Sequence, residues 1–451
     1  MIRAFVLACA ALSCSAAFAL PDDAAVRALL AERIAQKRGV GFAVVLLDDK
    51  GARIVTAGVM KEGGAPIAAD TEFEIGSITK TFTSLLLADL VVRGEMSLDD
   101  PVTKYLPPGA TGLERNGKTV SLGHLATHSS GLPPMPGNFA PANPADPYAD
   151  YGDAKLMAYL GGTVLERDPG ESYAYSNLGA GLLGYALTAS RGGYEKVMRE
   201  RILLPLGMTD TAQTLTPAQQ ARFATGHNPR LVPTPAWSLD VLAGAGSLRS
   251  TASDMAKYLK AAANPNASPM PAAFNLAERP VVDGSSPSLR IGLGWHVYFR
   301  ENRSIEWHNG RTGGFASMIA FDPVSRDGVV VLSNASIGVE DLTLHMLDPS
   351  VPLSAPPKER VAVKVDAAVL DRIAGKYELA REFVLTVRRE GDRIFAKATG
   401  QGELEIFPES DYEYFYKAVD AQLSFVRDGA ARVSGLVLHQ GGRNINARRI
   451  E

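Results

Sequence analysis

Gly76-Ser77-Ile78-Thr79-Lys80 opens a stretch that continues Thr81-Phe82-Thr83-Ser84-Leu85-Leu86-Leu87-Ala88-Asp89-Leu90-Val91-Val92-Arg93 and stops at Gly94. Its second half is apolar on nearly every face, and glycine is the residue that most readily ends a helix, so the pattern predicts a buried helix over 77–93. On such a helix Ser77 and Lys80 share one face, one turn apart, with the serine at the positive end of the macrodipole. A serine hydroxyl is a weak nucleophile until a neighbouring base takes its proton, and a lysine serves as that base only where burial or nearby positive charge lowers its pKa. A buried helix supplies the burial. No other serine in the chain has a lysine three residues on.

Upstream, Val26, Leu29, Leu30 and Ile34 repeat at helical spacing. The period then changes: 41–47 and 53–59 read as strands joined by Asp48-Asp49-Lys50-Gly51, which is hairpin chemistry. Downstream, residues 95–260 carry helical patterns broken by Pro and Gly, including a loop at 133–152 with six prolines. Strand patterns return at 295–300, 304–308, 315–321 and 328–333, followed by a short helix at 340–347. Sequence-distant strands plus terminal helices predict an α/β domain over 20–348. Its antiparallel sheet is flanked by helices and closed by both ends of the domain, and a helical subdomain is inserted at about 77–260. A Pro-rich linker is expected at 349–365, with four prolines in 349–357. From 366 to 451, six segments of alternating apolar and polar residues read as a small all-β unit, sandwich or barrel.

The 451 residues carry 46 Lys+Arg against 49 Asp+Glu, a formal charge of −3. That balance offers no electrostatic grip on phosphate backbones, so no nucleic-acid partner is expected. Apolar runs fall short of the roughly 18–20 residues of a spanning helix, and no membrane span is expected. Residues 1–19 read as a secretory signal, with Arg3 as the basic start, Ala4 to Leu12 as the apolar stretch and Ala17-Phe18-Ala19 as the cleavage site. A periplasmic or secreted location follows. Both cysteines, Cys9 and Cys14, fall inside that segment, which leaves no thiol chemistry in the mature chain; a lipid anchor through one of them is the less favoured reading.

Two further motifs stand beside Ser77 and Lys80. Tyr175-Ser176-Asn177 is the only Y-x-N in the chain, and His308-Asn309-Gly310 is one of two H-x-G triplets, the other being His439-Gln440-Gly441. One opens a helix, one lies in a loop of the helical region and one ends a strand. In this order they resemble the class C β-lactamase-like family of penicillin-recognising serine hydrolases, which includes β-lactamases, DD-peptidases and related esterases. The resemblance covers about 24–348. It extends to Phe73-Glu74-Ile75, Leu98-Asp99-Asp100-Pro101-Val102, His124 to Leu132, Gly244 to Ala256 and Thr312-Gly313-Gly314-Phe315.

The resemblance implies an acyl-serine mechanism. Ser77 would be the nucleophile, with Lys80 and Tyr175 sharing the proton transfers and neighbours easing the ionisation of the phenol. Asn177 would bind the substrate's acyl side chain and Lys80, and the oxyanion would rest on the N–H groups of Ser77 and Arg311, the latter on an edge strand. His308, Asn309 and Gly310 would complete the substrate side, with an imidazole that titrates near neutrality where β-lactamases of this class carry Lys-Thr-Gly. Arg311-Thr312-Gly313 is an alternative alignment of that triplet. Implied substrates are peptidoglycan stem peptides, β-lactams or esters. A non-hydrolytic penicillin sensor is the alternative outside catalysis. No cofactor is implied. His124 and His128 have the spacing of helical zinc ligands, but Ser129-Ser130-Gly131-Leu132-Pro133 ends any helix at once, so a structural loop is expected and no metal. The region after Leu370-Asp371-Arg372-Ile373-Ala374-Gly375-Lys376-Tyr377 looks like the lipocalin-like domain appended to some members.

Overall fold

The strand Gly41–Asp48 (β1) is apolar from Phe42 to Leu47 because both of its faces are covered. Phe42, Val44 and Leu46 enter one core, while Ala43, Val45 and Leu47 enter the other, as the period of two requires. Each such side chain contributes roughly 1.5–3 kcal/mol by leaving water. A slip of one residue would exchange the two sets, so the register is strongly specified. The computed structural model describes residues 19–300, 303–356, 360–380, 383–399, 402–417, 419, 421–430, 432–440 and 443–451. The expected signal segment and both cysteines lie outside the described residues, apart from Ala19.

β1 pairs with Gly51–Gly58 (β2) through the expected hairpin, whose turn is held by the Lys50 N–H donating to Asp48 Oδ1 at 2.9 Å. The sheet continues with Val282–Asp283 (β3), Leu289–Ile291 (β4), His296–Arg300 (β5), Arg303–Arg311 (β6), Ala316–Phe321 (β7) and Gly328–Ser333 (β8). Its order is β2-β1-β8-β7-β6-β5-β4-β3, antiparallel throughout, so the first and last segments of the domain meet at β1 and β8. The helices Asp23–Ala35 (α1) and Glu340–Leu347 cover one face through Val26, Leu30, Leu342 and Met346. Asp341, in the second of these, pairs with the buried Arg33 of α1. On the other face lies Thr79–Val92 (α2), buried from Thr79 to Leu90, with Ala252–Ala263 packed against β1 and β8. That second helix belongs to the sheet layer, so the layer resumes before residue 260.

Two expectations change here. β6 lies between β5 and β7, not at an edge, and runs through His308-Asn309-Gly310 to Arg311 instead of ending at His308. The first part of the Pro-rich linker expected at 349–365 is docked as far as Ser354. Ser354 donates its N–H to Asp341 and accepts from Arg38 at 2.7 Å, and Leu353 packs on the core of α1.

Pro356–Glu451 forms a separate compact unit. Its eight strands close into an antiparallel barrel in sequential order. Six were legible in the alternation; Gly375–Ala380 and Arg443–Arg449, which pair with each other to close it, were not. The barrel interior is filled by side chains such as Tyr377, Leu385, Ile406, Tyr414, Leu423 and Phe425, with Leu370 and Ile373 from the helix Ala367–Ile373.

At the far end of β6 from Arg311, Glu306 is buried close to Glu278, and each keeps an oxygen without a hydrogen-bond partner. Burial holds both carboxyls above the ordinary carboxylate range, and the Glu306 charge raises that of Glu278 further. A raised folded-state pKa gives stability that is full below the unfolded value and is lost as the pH rises towards about 8, where Glu306 ionises. Glu306→Gln is therefore expected to raise the melting temperature at pH 8 and to remove a slope of up to about 1.4 kcal/mol per pH unit. Melting curves of both proteins between pH 5 and 8.5 check this; parallel curves would contradict it.

Candidate active site

The nucleophile turn is set by close packing. Ser77 sits in a single 3-10 turn, Gly76–Ile78, that leads directly into α2. Gly76 has φ +49, and a Cβ there would lie 2.6 Å from the Arg311 backbone nitrogen, so the turn approaches β6 only with glycine at this position. From β6, Gly310 faces the same turn. A Cβ at 310 would overlap the Ile75 carbonyl oxygen, which accepts from Ser317 Oγ at 2.9 Å. The two approaches bring the backbones of Ser77 and Arg311 together at a cavity of about 120 Å3 that both residues line. Gly76, Ser77, Tyr148, Asn177, Trp237, Leu239, Ala245, Gly246, Arg311 and Thr312 line it. A larger groove of about 490 Å3, lined mainly by residues 195–222, contains none of these groups.

Lys80 is fully buried on α2, and its Nζ lies 2.8 Å from Ser77 Oγ, 2.8 Å from Asn177 Oδ1 and 2.6 Å from the Ala245 carbonyl. Burial pushes its ammonium down to about 7. A neutral amine has two N–H bonds and one lone pair. Asn177 Oδ1 and the Ala245 carbonyl can only accept, so they take the two N–H bonds and leave the lone pair facing the Ser77 hydroxyl. The site therefore holds an amine that is a base near neutral pH and is aimed at one proton.

Tyr175 also meets the serine, beside Lys80. Its hydroxyl is hydrogen-bonded to Ser77, and its ring carries Lys80 Nζ 4.9 Å from the centroid. Contrary to the expectation of an easily ionised phenol, burial raises the Tyr175 pKa, and the bond to Ser77 offsets this only in part. A neutral phenol can donate and accept, which suits it to relaying a proton but not to holding a negative charge. Asn177 begins the helix Asn177–Thr188, with Ser176 as its N-cap, donor Gly179 N–H at 2.8 Å.

His308 is fully buried, with its ring 6.2 Å from that of Tyr175 and its Nδ1 2.6 Å from the Asn309 carbonyl oxygen. Burial and the nearby His296 and Lys80 hold its pKa well below 6.5. It is a neutral ring at every pH near neutrality, which corrects the expectation that it titrates there. Alternation along β6 sends Asn309 to the opposite face, where its Nδ2 donates to Glu340 Oε1 at 2.7 Å, so this side chain does not enter the cavity. The Arg311 guanidinium points the same way, with Nη2 3.5 Å from Glu340 Oε1.

Several neighbours were not singled out from the sequence. His296 stacks on Trp307 at 4.5 Å and meets the Tyr173 hydroxyl through Nε2 at 3.0 Å. Tyr148 and Trp237, with ring centroids 5.2 Å apart, form the aromatic wall of the cavity. Nothing in the spacing of these residues marks them: His296 opens β5 and Trp307 lies on β6, while Tyr148, Tyr173 and Trp237 come from loops, and only the fold brings them together. His124 and His128 do not face a common point: His124 Nδ1 accepts the Ser121 N–H in a capping box, while His128 Nδ1 accepts from Ser176.

Residues 26–348 match the Beta-lactamase family, well over half of the chain. The chain belongs to the beta-lactamase family. As a member it is a serine hydrolase. Residues 359–449, the barrel unit, match a Domain of unknown function (DUF3471). Among curated proteins similar to the chain, the D-alanyl-D-alanine-carboxypeptidase/endopeptidase AmpH of Escherichia coli (strain K12) is 31% identical, covering 68% of this chain and 84% of AmpH. "Penicillin-binding protein 4*" of Bacillus subtilis (strain 168) is 26% identical over 85% of this chain and 89% of its own length. A beta-lactamase of E. coli (strain K12) is 28% identical over 60% and 77%. The fold is that of a class C beta-lactamase of solved structure, with a TM-score of 0.64 at 23% identity over 74% of this chain and 97% of that one.

Proposed function

We propose that Ser77 is the nucleophile of an acyl-serine hydrolase acting on D-configured peptides of the cell wall or on β-lactams. The observation that carries this is the Lys80 amine, shifted to about 7 and 2.8 Å from the Ser77 hydroxyl. Lys80 takes the hydroxyl proton as Oγ bonds to the substrate carbonyl carbon. The oxyanion rests on the N–H groups of Ser77 and Arg311. As the scissile bond breaks, the leaving amine receives its proton through the Tyr175 hydroxyl, which is refilled from Lys80. Water then hydrolyses the ester by the reverse sequence. Asn177 orients Lys80 and the acyl group, and His308 with Gly310 shapes the floor behind Tyr175. The names of the similar peptidases and beta-lactamase support the substrate class. The reading of residues 1–19 places the enzyme in the periplasm or outside the cell. A lipocalin-like role for the barrel is confined to support, since side chains occupy its interior.

A carboxylesterase is the second reading. It is favoured by the uncharged His308, which offers no cation to a substrate carboxylate, and by the aromatic wall of Tyr148 and Trp237.

One experiment separates these. The protein is incubated with muropeptides, nitrocefin and p-nitrophenyl butyrate in parallel, and tryptic peptide 62–80, which contains Ser77, is followed by mass spectrometry. Release of D-alanine or opening of nitrocefin with a transient adduct on that peptide is expected. Ester turnover without any labelling by a fluorescent penicillin selects the esterase. A penicillin adduct that persists for hours without product selects a sensor, and no adduct with any compound overturns the acyl-serine mechanism.

A further inference from the structure

We propose that His128 is a positioning residue for the Tyr175 hydroxyl, holding the tyrosine by accepting both of the backbone N–H groups that flank it. The Ala174 N–H donates to the His128 carbonyl at 2.7 Å, and the Ser176 N–H donates to His128 Nδ1 at 3.1 Å. The imidazole also lies against the phenol, with centroids 4.5 Å apart. One residue thus fixes the backbone on each side of Tyr175 and one face of its ring. The inference rests on the reading of Tyr175 as the proton relay.

The backbone at His128 is shaped for this. It has φ +56, a left-handed conformation uncommon for a residue other than Gly, Asn or Asp. That twist lets the carbonyl and the ring of one residue turn towards the same strand of chain. The segment after it continues the cradle: the Pro133 carbonyl accepts from Ser176 Oγ at 2.6 Å, and the Pro134 carbonyl accepts the Asn177 N–H at 3.0 Å. The Tyr-Ser-Asn element therefore has no ladder of its own; residues 128–134 supply its backbone partners.

Accepting at Nδ1 requires that nitrogen to be unprotonated, so the ring is neutral with its proton on Nε2. Its surroundings maintain that state. Lys80 and His296 act on it electrostatically, His308 faces the same cluster, Tyr175 packs against its ring and Tyr173 meets it edge-on at 6.0 Å. Burial above all, with Lys80 and His296 disfavouring a further positive charge, holds its pKa well below 6.5.

Asparagine tolerates the left-handed region and carries an acceptor near the position of Nδ1, whereas leucine matches the bulk without an acceptor. His128→Asn is expected to keep kcat within about fivefold. His128→Leu is expected to lose about 100-fold in kcat with KM changed less than threefold, since a misplaced catalytic group costs about that much. Amide exchange of residues 172–178 should speed up in His128→Leu and not in His128→Asn. Nitrogen-15 spectra of the unmutated protein should show the Nε2–H tautomer from pH 5 to 8. Equal kcat losses in both variants, unchanged exchange in His128→Leu or an Nδ1–H tautomer would overturn the assignment. If neither variant folds, the tautomer alone decides. Tyr175→Phe is measured alongside. If it retains full kcat, the relay reading fails, while exchange and tautomer still decide whether His128 holds the segment.

Discussion

Ser77→Ala is expected to lower kcat by about 10⁵-fold on any substrate the enzyme turns over, with the fold intact. In the proposed mechanism Ser77 Oγ forms the covalent bond, and a nucleophile and its base act as a unit, so losing one forfeits what both supply. What remains is the pair of N–H groups of Ser77 and Arg311, which still polarise a carbonyl and leave roughly 10³–10⁴-fold over the uncatalysed reaction. The fold survives because Ser77 is only half-buried and Lys80 keeps its bonds to Asn177 Oδ1 and the Ala245 carbonyl. In the unmutated enzyme the same argument fixes a pH limb. Lys80 must be neutral to accept the proton, so kcat rises with pH through about 7 and then levels off. Steady-state rates from pH 5 to 9, with the mass of peptide 62–80, check both statements. Activity within tenfold in Ser77→Ala would remove the serine from the mechanism, and a flat profile would remove Lys80 as the base.

Legibility in the sequence followed how local the physics was. The helix that carries Lys80 and follows the Ser77 turn was readable because its burial is written in Leu85 to Leu90, and the β1–β2 hairpin because its turn residues and alternation are contiguous. The barrel strands at both ends of the C-terminal unit were not. Gly375–Ala380 directs only Tyr377 fully into the interior and Arg443–Arg449 only Ala447, so neither shows a pattern above its polar background. The site divides in the same way. Ser77, Lys80, Tyr175 and Asn177 were identified by motif, and the fold brings them together. The charge states were not legible, because they depend on burial created by distant segments. His308 sits beside His296 and Lys80, which no local window contains, and Tyr175 is buried by a loop that begins at His128. The side-chain direction of Asn309 was a matter of register: one position along a strand separates the cavity from Glu340.

Gly310→Ala is expected to damage both stability and turnover, although it adds one methyl group. Gly310 lies on β6 where the strand passes the nucleophile turn, and the new Cβ would overlap the Ile75 carbonyl oxygen and crowd Ser317 Oγ. Neither neighbour is the free end of a flexible chain. Ile75 is tied by its own N–H to the Leu248 carbonyl at 3.1 Å, and Ser317 Oγ already donates to the Ile75 carbonyl. The strand must therefore move away from the turn, at a cost of about 1–3 kcal/mol, which in a domain of this size is expected to lower the melting temperature by about 1–5 °C. The catalytic consequence follows from the next residue. Shifting β6 withdraws the Arg311 N–H from the side of Ser77, and loss of one oxyanion donor lowers kcat by about 10²–10³-fold with little change in KM. Gly162→Ala is the control, because a Cβ there meets nothing within 4 Å, and both its melting temperature and kcat should stay unchanged. If Gly310→Ala loses stability yet keeps kcat in the remaining folded enzyme, the Arg311 N–H is not part of the oxyanion site. If it loses neither, the packing of the nucleophile turn against β6 is looser than the Ile75 and Ser317 contacts require.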